Sequence, residues 1–258
     1  MNRTGVRPSA SFLIILAVAV VGGVLVTFQS QAAVDAGTVM LVLGGWGTSL
    51  CLHEFGHAIV AYRGGDYAVR DKGYLTLDIR RYTDPVFSIV LPLILLAVGG
   101  IPLPGGAVWI NHSALRNRKI ESFVSLAGPL SNLVLGVALI WVDRTFVPLN
   151  PFSPYGSTAL SFGLMYLALL QIFAFVINIL PIPGLDGWGA IEPWLSYEAR
   201  RFGQTVRPWA PLVLFAILIG IRSVNTEVFD GIAHVMSWLG GDPLQAFIGQ
   251  NNFLFWRQ

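Results

Sequence analysis

Two histidines and a glutamate stand close together in the stretch His53-Glu54-Phe55-Gly56-His57. On an α-helix, residues four apart share one face with Cβ atoms about 5–6 Å apart, so His53 and His57 could bind one metal ion. Glu54 would then lie about 100° round the helix from His53, close enough to a water activated by the metal to act as general base. This pattern is typical of metal-assisted hydrolysis, and its alternative is a pair of core histidines satisfied by hydrogen bonds.

The composition places this stretch in a membrane protein. Of the 258 residues, 54% are apolar and only 12% are charged, too few charges to cover the surface of a water-soluble fold. The single cysteine excludes a disulfide framework and a Cys-rich zinc module, and the net charge of +2 argues against nucleic acid as a partner. Ionisable groups inside a membrane are costly, so three on one helix need a shared purpose. A metal ion supplies that purpose, and a proton relay is the competing explanation.

Long apolar runs predict the membrane crossings. They cover residues 12–28, 39–62, 85–101, 123–142 and 160–180, with a shorter run at 209–221. The fold class is therefore an all-α polytopic membrane protein with about five to six transmembrane helices. The first run could instead be a signal peptide, cleaved after the small residues near position 32.

The basic residues predict the orientation. With a cytoplasmic N-terminus, most of the 16 Lys and Arg residues lie on the cytoplasmic side, as the positive-inside rule requires. Basic clusters then flank residues 85–110 on one face, which favours a re-entrant element there. The alternative is a plain fifth helix that inverts everything downstream.

A candidate third ligand follows the fifth apolar run. Pro181 and Pro183 break the helix, and Gly184 and Gly187 permit sharp turns, so Asp186 could point back into the bundle. In the predicted topology this segment and the histidine helix both end on the cytoplasmic side. The alternative for Asp186 is a helix cap or a turn residue.

These motifs together resemble those of the site-2 proteases, which are intramembrane zinc metalloproteases. The resemblance rests on His53-Glu54-Phe55-Gly56-His57, on residues 178–187 with their Asn, Pro and Leu-Asp-Gly pattern, and on Ala127-Gly128-Pro129-Leu130-Ser131-Asn132. In the third motif we assign Gly128, Pro129 and Asn132 to packing and helix geometry rather than to chemistry.

The resemblance implies roles for five residues. One zinc ion per chain would be bound by His53, His57 and Asp186, with Glu54 as general base and acid. Asn178 would stabilise the oxyanion, since an amide N–H₂ can donate to developing charge in a dry site. For Asn178 an interhelical hydrogen bond is an equal alternative.

The resemblance also implies a domain organisation and partners. Residues 1–38 would form an N-terminal helix and external loop, 39–190 the intramembrane metalloprotease core, and 191–258 a C-terminal helix with an interfacial tail. No insertion is long enough for a PDZ or CBS domain, so this is a compact form. The protein would lie in the lipid bilayer of the cell membrane, with its active site nearer the cytoplasm. Its substrates would be single-span membrane proteins such as anti-sigma factors or similar membrane-tethered regulators.

Two short segments suggest a small membrane-associated β-sheet. Residues 73–80 alternate apolar and polar side chains with period two, and residues 107–110 form a second strand candidate. We expect an edge of this sheet to accept an unwound substrate as an added strand. The alternative is a cytoplasmic hairpin with a structural role only.

Other functions fit parts of the same pattern. A secondary transporter could use His53, Glu54, His57 and Asp186 as a proton or metal pathway, because broken helices near an ion site suit transport as well. Many transporters contain an inverted repeat, and none is visible in this sequence. A catalytically inactive binding homologue is a third possibility, which the presence of every core residue argues against.

Overall fold

The computed structural model describes residues 7–81, 109–150, 152–153 and 155–257. Their secondary structure is helical throughout, with short 3₁₀ turns between some of the helices. The α-helices in chain order are α1 (Ala10–Leu25), α2 (Gln31–Gly64), α3 (Ala68–Asp71), α4 (Arg118–Phe146), α5 (Ser157–Asn178), α6 (Asp186–Ile191), α7 (Tyr197–Val206), α8 (Ala210–Gly220), α9 (Arg222–Trp238) and α10 (Pro243–Phe253).

Among the helices of the described residues, α2, α4 and α5 are long and apolar enough to cross a membrane. Helix α1 is apolar but has only 16 residues. Helices α7 and α8 together are long and apolar enough to cross a membrane, but they form a pair bent by 60°. The length and composition of these helices indicate a membrane protein, while five to six crossings remain a prediction. The re-entrant element predicted over 85–110 lies outside the described residues, except for its last two positions.

Glycines bring the helices of the bundle into close contact. A Cβ on Gly22 of α1 would lie 2.7 Å from the carbonyl oxygen of Gly37 on α2, so these two helices touch through their backbones. A Cβ on Gly56 would lie 2.8 Å from the carbonyl oxygen of Ala127, so α2 and α4 meet in the same way. Small residues of this kind let helices approach closely inside membranes.

The C-terminal helices complete the core against α5. The rings of Phe173 on α5 and Phe229 on α9 stack with centroids 5.6 Å apart. The ring centroids of Tyr166 on α5 and Phe253 on α10 are 5.7 Å apart, and both side chains are fully buried. Most of α5 is thereby enclosed by other helices, which holds its C-terminal end at Asn178 in place.

The prediction of a β-strand at residues 73–80 is wrong. The segment forms two 3₁₀ turns, Tyr74–Thr76 and Ile79–Arg81, and the backbone takes positive φ at Gly73 (79°) and Leu77 (57°), which reverses its direction. Tyr74 and Leu77 are both buried, because a 3₁₀ turn places residues three apart on one face. Of the second candidate, 107–108 lie outside the described residues, and 109–110 form no strand.

Side-chain hydrogen bonds hold these turns instead of a sheet. The carboxylate of Asp78 accepts from Ser11 Oγ (2.8 Å) and from Arg80 Nε and Nη2 (both 2.9 Å). The Arg80 guanidinium accordingly lowers the pKa of the Asp78 carboxyl to about 2. The segment therefore ties the start of α1 to the end of α2.

Candidate metal centre

His53 and His57 lie on one face of α2, as the four-residue spacing predicts. Their Nε2 atoms are 3.1 Å apart, and both side chains are buried. The other nitrogen of each ring is engaged by α4: His53 Nδ1 lies 2.8 Å from Asn132 Oδ1, and His57 Nδ1 lies 2.7 Å from the carbonyl oxygen of Val124. A carbonyl oxygen only accepts, so Nδ1 of His57 carries the proton and Nε2 presents a lone pair.

The chain after α5 brings Asp186 to these two rings. It turns sharply between α5 and α6, with Gly184 at a φ of 99°. Gly187 packs so closely on the carbonyl of Ile179 that no side chain would fit there. Asp186 then begins α6, with its Oδ2 3.2 Å from His53 Nε2 and its Oδ1 3.5 Å from His57 Nε2.

The donor set and its spacing fit a zinc ion. Two imidazole nitrogens and a carboxylate oxygen are common zinc ligands, and tetrahedral bonds of 2.0–2.1 Å put two ligand atoms about 3.3 Å apart. The three ligand atoms here lie within 4.8 Å of one another. Two lone pairs and a carboxylate facing one another repel unless a cation or a proton lies between them, which also favours a metal.

Gly128 of α4 keeps the space beside the imidazoles open. A Cβ built on this glycine would collide with His57 Nε2 and would lie 2.6 Å from His53 Nε2. Any larger residue would therefore have to displace the two rings. Gly128 and Asn132 are four residues apart, so one face of α4 supplies both the open space and the hydrogen bond to His53.

The other two residues of the predicted site are buried nearby. Glu54 follows His53 on α2 and is 1% exposed. Asn178 is the last residue of α5, and with His53 and Asn132 it lines a cavity of about 20 Å³, enough for a single water molecule. The structure thus brings Asn178 to the same cavity as one of the imidazoles, while its catalytic role stays a prediction.

Sequence reasoning undervalued two contacts of this centre. The sequence motif assigns Asn132 to packing, whereas its side chain holds His53. The helical face that Asn132 shares with Gly128 is the signal that could have linked it to His53. No sequence signal could have singled out the carbonyl of Val124, because every residue carries a backbone carbonyl. Cys51 precedes His53 by two residues but is fully buried among apolar side chains and belongs to the core.

Several proteins resemble this chain over most of its length or nearly all of it. It is 44% identical over 257 residues to "Putative zinc metalloprotease Rip2" of Mycolicibacterium smegmatis, covering 98% of this chain and 96% of the relative. It is 40% identical over 258 residues to the protein of the same name in Mycobacterium tuberculosis strain H37Rv, and this match covers 99% of this chain and 96% of the relative. It is 33% identical over 202 residues to "Putative zinc metalloprotease YwhC" of Bacillus subtilis, and this match covers 71% of this chain and 88% of the relative.

The chain belongs to the site-2 protease family of zinc metalloproteases. No family model matches it, and no solved structure does. Members of this family need zinc, so the cofactor predicted from the motifs is confirmed, and the group of His53, His57 and Asp186 could hold one ion.

Proposed function

We propose that the protein is an intramembrane zinc endopeptidase that cleaves transmembrane substrate proteins, with His53, His57 and Asp186 as the zinc ligands. The observation that carries the proposal is the convergence of these three side chains inside a bundle of membrane-length helices. A site at this depth can reach a peptide bond only within or beside a membrane-spanning segment.

We assign roles to the surrounding residues from the chemistry of their side chains. His53, His57 and Asp186 would hold the zinc ion, which when bound would supply a Lewis acid for the activation of water and the polarisation of the scissile carbonyl. The Glu54 carboxylate takes the proton from the attacking water and delivers it to the leaving amine. The Asn178 amide donates a hydrogen bond to the developing oxyanion. Asn132 accepts from His53 Nδ1 and so directs Nε2 towards the ligand position.

The charge distribution supports a site near the cytoplasmic surface. Helix α2 continues only seven residues beyond His57, and α5 ends at Asn178. Arg63 follows both histidines, Arg116 precedes α4, and Lys119 lies in the first turn of α4. Under the positive-inside rule this end of the bundle faces the cytoplasm, and the N-terminus lies on the same side.

The substrates we propose are single-span membrane proteins, cleaved in regulated intramembrane proteolysis. Membrane-tethered regulators such as anti-sigma factors belong to this class. A cut near the cytoplasmic surface would release their cytoplasmic part from the membrane. The domain boundaries predicted from the sequence, with a metalloprotease core at residues 39–190, are part of the same proposal.

The test uses Glu54→Gln, which removes the base and leaves the proposed ligands intact. Wild-type protein is reconstituted in liposomes with single-span anti-sigma factors from the same genome, each tagged at both ends. We expect a shortened fragment with the wild type and with the control Glu227→Gln, whose glutamate is exposed on α9. We expect none with Glu54→Gln. Cleavage by Glu54→Gln, or zinc-loaded wild-type protein that cleaves no substrate and instead moves ions across the liposome, would contradict the proposal.

A further inference from the structure

Helix α4 contacts the outer nitrogen of both imidazoles, through the Asn132 side chain and the Val124 carbonyl. The third candidate ligand is carried by a separate element. Asp186 is the first residue of α6, a helix of only six residues that a 3₁₀ turn extends to Trp194. A helix this short has little stability of its own, so its position in the bundle depends on the elements it packs against. The place of the Asp186 carboxylate depends on them too.

One hydroxyl of α4 joins this segment at two points. Ser122 Oγ lies 2.6 Å from the carbonyl oxygen of Ala190, in the last turn of α6, and 2.9 Å from the indole Nε1 of Trp194. A serine hydroxyl can donate one hydrogen bond and accept two, whereas an indole N–H only donates. Ser122 therefore donates to Ala190 and accepts from Trp194. The carbonyl oxygen of Arg118, on the same helix as Ser122, is farther from the hydroxyl, at 3.2 Å.

These contacts lie on the side of α6 that carries the candidate ligand. Ala190 follows Asp186 by four residues, and residues four apart share one face of a helix. Helices α6 and α4 also touch between these two positions, because a Cβ on Gly189 would lie 2.6 Å from Ser125 Oγ. Ser122 and Ser125 are three residues apart on α4 and so share a face as well. One side of α6 therefore lies along one side of α4, with Asp186 at the metal centre and Ala190 at Ser122.

We infer that Ser122 is a positioning residue for Asp186, acting through α6 rather than on the carboxylate itself. Its two hydrogen bonds fix α6 and the turn after it against α4, the helix that also orients the two imidazoles. All three proposed ligands are thus held by one helix, and their spacing is set before a metal ion binds. Such preorganisation raises metal affinity, because binding then has to order less of the chain. The inference rests on the proposed function, in which Asp186 is a zinc ligand.

The test measures metal binding by Ser122→Ala, which removes both hydrogen bonds, and by Trp194→Phe, which removes only the one from the indole. Competition with a chelator gives the zinc affinity, and the visible absorption of Co²⁺ bound in place of zinc reports the number and geometry of its ligands. We expect Ser122→Ala to weaken zinc binding about fivefold, the ratio typical of one lost hydrogen bond, and to reduce the Co²⁺ absorption. Trp194→Phe should have a smaller effect in the same direction. The control is Ser237→Ala on α9, whose hydroxyl donates to the Ala233 carbonyl of its own helix, and it should match the wild type.

A double variant separates this link from general packing. Without the Ser122 hydroxyl the indole of Trp194 loses its acceptor, so the double variant Ser122→Ala/Trp194→Phe should bind zinc as weakly as Ser122→Ala alone. Losses that add would show that Trp194 acts through separate contacts and would overturn the proposed link.

Thermal unfolding of the metal-free proteins identifies a purely structural role. If Ser122→Ala unfolds at a lower temperature but binds zinc and Co²⁺ as the wild type does, the hydroxyl only stabilises the fold. That result would overturn the inference and leave the proposed function intact. A wild type that binds no zinc would contradict both.

Discussion

The two imidazoles of the proposed zinc site are held in different ways. His57 Nδ1 donates to a backbone carbonyl, which no substitution can remove. His53 Nδ1 is held by the side chain of Asn132, and this residue can be changed without altering any proposed ligand. Outer partners of this kind fix the tautomer and orientation of a ligating histidine. The strength of zinc binding should therefore depend on Asn132.

We predict that Asn132→Ala weakens zinc binding about 10- to 100-fold, in the range found when such outer partners are removed. The reason is that His53 loses its acceptor and can rotate or change tautomer. Competition between the protein and a chelator of known affinity measures the effect. Ser131→Ala is the matched control, because the Ser131 hydroxyl donates only to the Gly128 carbonyl of its own helix. Equal zinc affinities for the two variants would show that the Asn132 contact has no influence.

At the level of helices, the site depends on how closely α2 and α4 approach. Gly56 allows the α4 backbone to reach α2, and Gly128 leaves room for the Nε2 atoms of both imidazoles. Both glycines have ordinary negative φ, since neither is among the positive-φ residues of the described chain. Their role is therefore the absence of a side chain rather than conformational freedom.

Gly128→Ala should abolish zinc retention, because its methyl group would occupy the position towards which the imidazole nitrogens point. The protein should still be inserted and helical, as an alanine favours helix. Gly231→Ala on α9 is the control: a Cβ there meets nothing within 4 Å, and the exchange should stabilise the fold by about 0.5–1 kcal/mol. Zinc analysis and thermal unfolding of both variants check this. Full zinc occupancy in Gly128→Ala would contradict the assigned geometry.

Regular helices also explain which parts of the site were predictable. The face shared by His53 and His57 follows from helical periodicity alone, and the break before Asp186 follows from two prolines. The turns at 73–81 were not predictable in this way, because a period-two pattern over eight residues does not reveal the positive φ of Leu77. Gln171 of α5 is polar within an apolar run, but only the packing of the helices shows that its buried amide has no hydrogen-bond partner among the described residues.

For the whole molecule, the charge distribution predicts which end of the bundle faces the cytoplasm. Single cysteines at Ser153 and Ser196 test it, because these positions lie in connections that the topology assigns to opposite sides. Cys51 has no exposed surface and should give no background labelling. With a membrane-impermeant maleimide, Ser153→Cys should react in intact cells, and Ser196→Cys only after permeabilisation. The reverse pattern would invert the orientation and move the site to the outer side.

The central claim is that this membrane bundle holds zinc through His53, His57 and Asp186. The most direct measurement is the zinc content per chain of the purified protein, compared between the wild type, Glu54→Gln and Asp186→Ala. The structure predicts about one zinc per chain in the first two, because the base is not a ligand, and a large loss in Asp186→Ala. Asp230→Asn, an exposed carboxylate on α9, should match the wild type. A wild type without zinc, or an Asp186→Ala variant that retains it fully, would contradict the claim.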